Sequence, residues 1–68
     1  ALTLHANGRV LSVGRTGPNY CELREPAEVS GRAELVMTVD GVPGVWLVEI
    51  LRTESSYVYY RVIEYPKK

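Results

Sequence analysis

The sequence predicts an all-β fold, with five to six antiparallel strands forming a small β-sandwich or a partly open β-barrel. Three observations predict it. Apolar and polar residues alternate with a period of two from Ala33 to Asp40, and again along the tyrosine-rich end, as in strands with one dry side. An Asn7-Gly8 pair stands between two apolar segments. This is the strongest short hairpin signal, because both residues tolerate the positive φ of a type I′ turn. No stretch carries apolar residues at helical spacing through three turns.

The elements follow in order. Leu2-Thr3-Leu4-His5 alternates with Leu2 and Leu4 on one face, and Arg9 to Val13 returns after the Asn-Gly turn. Gly14 to Asn19 (GRTGPN) reads as a turn-rich break. A short strand, Tyr20 to Arg24, comes next. Pro26 removes a ladder donor and holds Glu25 extended, which makes this segment an edge strand or a strand end. Glu25 to Arg32 has room for one helical turn and no more. Ala33, Leu35, Met37 and Val39 share one face of the clearest strand. Asp40 to Gly44 then turns the chain, with Pro43-Gly44 suited to the middle of a type II turn.

Val45 to Leu51 carries Trp46, Val48 and Ile50 on one face and Val45, Leu47 and Leu51 on the other. It reads as a central strand buried on both sides. A single flat sheet would expose that second face, and another chain would then dock there. Arg52 to Ser56 reads as a polar turn. Tyr57 to Tyr65 is the last strand, ended by Pro66 and a basic Lys67-Lys68 tail.

The 68 residues suffice for one small β domain over 1–68. A chain of this size buries only about 60% of its unfolded surface. Ordering costs roughly 1.5 kcal/mol per residue, close to what apolar burial returns. The single cysteine, Cys21, forms no internal disulfide, and no set of zinc ligands is present. A homodimer, or a place as a bound subunit, would relieve the shortage of core.

Eight basic residues balance eight acidic ones. Nonspecific nucleic-acid binding draws on many phosphate contacts, and no global basic surplus supplies them. Neutrality also permits self-association. No apolar run of the length that spans a bilayer occurs, and no basic segment leads into a secretory apolar stretch. The start at Ala1 is what loss of an initiator methionine leaves, as would processing or truncation. A lone unpaired thiol points to a reducing cytoplasm.

Five of the six aromatics are tyrosines, and four of them fall in YVYYRVIEY near the end. Alternation sends Val58, Tyr60 and Val62 one way, and Tyr57, Tyr59, Arg61, Ile63 and Tyr65 the other. Cross-strand contacts alone account for such a row. The functional reading makes Tyr57, Tyr59, Arg61 and Tyr65 a docking strip for a protein partner or a second copy, since tyrosine and arginine concentrate at binding hot spots. A base-stacking platform would use the same residues with Lys67 and Lys68, but Glu64 sits among them and breaks the basic track that stacking needs.

The remaining candidates are weaker. His5 is the only histidine, on the face opposite Leu2 and Leu4. A His5/Cys21 nucleophilic pair, as in a hydrolase, would need the two within hydrogen-bond reach, and no local motif supports it. Cys21 reads as a small buried hydrophobe. Glu22, Glu25, Glu28 and Glu34 interleave with Arg24 and Arg32 as a solvated face does, which argues against an acid–base pair. GRTGPN lacks the lysine and following helix of a phosphate loop. The expectation is a non-enzymatic interaction module or accessory subunit, without cofactor or metal.

The segments NGRVLSV, GPNYCELREP and AELVMTVDG, the last followed by a tryptophan-bearing strand, lie between Gly8 and Glu49. This stretch resembles a family of small uncharacterised bacterial proteins, from which the tyrosine-rich end departs. The resemblance implies a small stand-alone β protein and assigns no residue a role.

Overall fold

Residues 1–66 are described by a computed structural model; the Lys67-Lys68 pair, read above as a tail, lies outside the described residues. Asn7 and Gly8 take φ of 52° and 72°, so the first hairpin turns as expected. It joins strand β1 (Leu2–Ala6) to β2 (Arg9–Thr16). The strands that follow are β3 (Tyr20–Leu23), β4 (Gly31–Val39), β5 (Val42–Glu54) and β6 (Tyr57–Glu64).

All six pair antiparallel, in the closed order β1-β2-β3-β6-β5-β4. The fold is all-β as expected, and the barrel closes fully. Each three-strand meander is joined at its ends to the other, through β1–β4 and β3–β6. With β4 beside β1, the first four strands form a Greek key. Closure leaves no edge along most of the sheet.

Alternation fills the interior. Leu4, Cys21, Val48 and Val58 are fully buried, and Tyr60 is nearly so. Burying a Val or Leu side chain contributes about 1.5–3 kcal/mol. No charged side chain is buried among the described residues.

The two ends of the barrel differ. The segment 24–30 crosses one end on its way from β3 to β4 and lays Val29 and Ala27 against the core. Asn7 holds it there, donating from Nδ2 to the Ser30 carbonyl (2.9 Å) and accepting from the Ser30 amide (3.0 Å). The opposite end carries only tight connections, at 17–19 and 40–41.

Several local expectations change. Gly14 is not in a turn: it is the extra residue of a bulge in β2, between Val13 and Arg15, and the turn shrinks to 17–19. β3 is bonded on both sides, to β2 and β6, so it is no edge; it does end before Pro26. Residues 24–30 form no helical turn.

The β4–β5 turn is Asp40-Gly41 (φ 52° and 77°), and Pro43-Gly44 belongs to β5. Pro43 is tolerated because it pairs with Thr38, whose amide points to the other side and bonds the Ala1 carbonyl at 3.0 Å. At that non-hydrogen-bonded pair the missing proline donor costs β5 nothing. Residues 52–54 are strand, which reduces the expected polar turn to Ser55-Ser56. β5 is not buried on both sides, because a single closed layer has nothing packed outside it: Val45 and Leu51 are exposed.

Candidate functional site

β6 sets Tyr57 and Tyr59 two residues apart on the outer face of the barrel, as alternation requires. Register then supplies a third ring. Tyr59 pairs with Tyr20 of β3, and Tyr57 with Glu22. Ring centroids lie 6.1 Å apart for Tyr20–Tyr57, 6.2 Å for Tyr20–Tyr59 and 6.3 Å for Tyr57–Tyr59, the last nearly parallel. These spacings fall within the range of favourable aromatic pairs. The rings are half-buried, shielded by one another and open to solvent on the outer side.

Arginines frame the cluster. Arg15 of β2 donates through Nε to Glu22 (2.6 Å) and through a terminal nitrogen to the Tyr57 hydroxyl (3.0 Å). Both contacts push its pKa further up, the Tyr57 hydrogen bond contributing most. Arg52 of β5 sits 4.1 Å over the Tyr59 ring and 3.4 Å from Glu54, a cation–π geometry. Arg61 is paired with Glu49. Each guanidinium therefore faces a carboxylate, and the cluster presents both signs of charge around an aromatic centre.

The expected strip of Tyr57, Tyr59, Arg61 and Tyr65 is thus rearranged. Tyr57 and Tyr59 belong together. Arg61 lies one step beyond them, held by Glu49. Tyr65 is elsewhere: Leu47 pairs with Glu64 while Val48 pairs with Val62, so Ile63 is an extra residue that reverses the alternation. Tyr65, largely exposed, consequently stands at the open end of the barrel beside Trp46. Tyr20, Arg15 and Arg52 are members that strand-by-strand reading missed. Only the β3–β6 and β5–β6 registers reveal them.

His5 and Cys21 are not brought together. His5 points outward from β1 and contacts Thr3 Oγ1 (3.1 Å), whereas Cys21 is fully buried in the interior of β3. Burial pushes the thiol up to about 11, which keeps it protonated and a poor nucleophile. No cluster of three potential metal ligands occurs among the described residues. Likewise no helix there is long and apolar enough to cross a membrane.

Two hollows lie at the open end. One, of about 340 Å³, is lined by inward-facing Leu35, Met37, Trp46, Tyr60 and Val62, with Tyr65 and the Thr16-Gly17-Pro18 stretch at its rim. The other, also about 340 Å³, lies outside the sheet against Pro43, Val45 and Leu47, between Glu34 and Glu64.

The fold and this surface define a small Greek-key β-barrel with an outward aromatic–arginine cluster. No family model, curated protein or solved structure matches the chain.

Proposed function

We propose that this barrel is a non-enzymatic interaction module that pairs with a second copy of itself through the Tyr20–Tyr57–Tyr59 face. The carrying observation is the charge order around the rings: Arg15 beside Glu22 on one flank, Arg52 beside Glu54 on the other. A patch with both signs on both flanks is complementary to itself under a two-fold axis, where the arginines of one copy meet the glutamates of the other. The rings supply the apolar centre that such an interface needs.

The outer face of β4–β5 is a poorer candidate for self-pairing. Its apolar Val45 and Leu47 lie between Glu34 and Glu64, and pairing it with a copy would bring like charges together. A single-stranded nucleic acid is also less well served, because Glu22, Glu49 and Glu54 stand beside the guanidiniums and repel phosphates.

Sedimentation from micromolar to millimolar concentration tests the reading. A monomer–dimer equilibrium is expected, abolished by Tyr59→Ala and retained in Leu47→Asp. A strict monomer throughout, or a dimer lost in Leu47→Asp and kept in Tyr59→Ala, overturns it.

A further inference from the structure

A closed barrel has two mouths, and the described residues cover one. The one long connection among the described residues, 24–30, plugs the end near Asn7 with Val29 and Ala27. At the other end the last inward layer (Met37, Trp46 and Val62) is left half-buried. The β4–β5 hairpin runs on past the ends of β1 and β6 and walls one side of the hollow: β1 pairs only as far as Met37, and β6 only as far as Leu47. Gly44, opposite Met37, contributes no side chain to fill the space. The hollow that results is about 340 Å³, roughly twice the ~150 Å³ of a dry apolar cavity known to take one benzene ring.

Its chemistry is narrow. Among the described residues no acidic or basic side chain lines it. Of its polar atoms, the Tyr60 hydroxyl already donates to the Tyr20 carbonyl at 3.2 Å. What remains is an indole, two phenol rings, a thioether and aliphatic groups, with the Thr16 hydroxyl and the Gly17-Pro18 backbone as neutral polar atoms at the rim. Thioether sulfur and aromatic faces both favour an aromatic guest, and barrel mouths are a common place for small-molecule sites. We infer that the open mouth, built by Met37, Trp46, Tyr60, Val62 and Tyr65, is a binding site for an uncharged two-ring aromatic small molecule. This goes beyond the proposed self-association, which uses the outer face.

Trp46 is the only tryptophan, so its fluorescence and its indole N–H resonance both report on the site. Quinoline, uncharged at neutral pH, is titrated into isotope-labelled protein, with cyclohexanol and naphthalene-2-sulfonate as comparisons. Saturable shifts are expected at Trp46, Met37 and Gly17, with a millimolar dissociation constant and at least fivefold weaker binding of the two comparisons. Tyr65→Ala removes an exposed rim ring and leaves the core intact, so a fivefold weaker affinity is expected at unchanged melting temperature. Met37→Phe fills the mouth and is expected to abolish binding. No saturable shift, shifts confined to Tyr20, Tyr57 and Tyr59, or equal binding of cyclohexanol or the sulfonate overturns the assignment. Each outcome is read on monomeric protein at low concentration, so it is independent of whether the outer face dimerises.

Discussion

A Cβ added at Gly17 would lie 2.1 Å from Cε1 of Tyr20, far inside van der Waals contact. The Tyr20 ring therefore lies flat over the turn only because position 17 has no side chain. The backbone is anchored around it, with the Gly17 amide and the Tyr60 hydroxyl both donating to the Tyr20 carbonyl. In Gly17→Ala the ring must swing away while the strand stays in place, breaking two of the three ring contacts of the cluster. A modest loss of about 1 kcal/mol is expected. The larger effect falls on association: the variant is expected to be folded by NMR, with shifted Tyr57 and Tyr59 ring signals and no dimer. A dimer of undiminished affinity would show that Tyr20 is outside the interface.

Among the elements, the two type I′ hairpins look alike in sequence yet carry different loads. Asn7-Gly8 and Asp40-Gly41 share the positive φ at both central positions, but only Asn7 also ties the crossing segment through its two bonds to Ser30. Glycine keeps the backbone of either turn and removes the side chain. Asn7→Gly is therefore expected to cost about 1–2 kcal/mol, and Asp40→Gly less than about 0.5 kcal/mol, in urea denaturation; equal losses would show that the Ser30 tie is inert. The Asn7-Gly8 turn and the strands beside both turns were legible because dipeptide chemistry and alternation act locally; the second turn was expected in the right segment, but at Pro43-Gly44 and not at Asp40-Gly41. The three bulges were not. Leu51, left over where Ile50 pairs with Tyr60 and Arg52 with Tyr59, and Ile63 are apolar residues in apolar strands, and an inserted residue leaves no trace in composition. Gly14 carried a signal, but beside Gly17 and Pro18 it read as a turn. One unseen insertion at Ile63 moved Tyr65 from the outer strip to the mouth. Tyr57 and Tyr59 were legible as neighbours on one strand. Tyr20, Arg15 and Arg52 join them through pairings between segments far apart in sequence, and period-two reasoning holds no information about those.

For the whole molecule, closure concentrates two weak acids in one dry wall. Cys21 and Tyr60 face inward from β3 and β6, which are adjacent strands. Burial raises the thiol from 9.0 to about 11. The Tyr60 hydroxyl rises from 10.0 to about 12, chiefly by burial and further by the nearby Cys21. Both groups are neutral when protonated, so below pH 9 they are protonated in the folded and unfolded chains alike, and their contribution to stability is fully present. Above pH 9 the unfolded chain releases the Cys21 proton while the barrel retains it. The folded state then binds more protons, and stability falls with rising pH. Tyr60 adds a second decline between pH 10 and about 12. The urea midpoint is accordingly expected to be level up to pH 9 with respect to these two groups and to fall steadily above it. Cys21→Ala separates the contributions: the decline should then begin nearer pH 10, at the cost of a small cavity that lowers the whole curve without changing its shape. A midpoint still level at pH 11 would mean that neither proton is held by the core, and that the wall between β3 and β6 admits water.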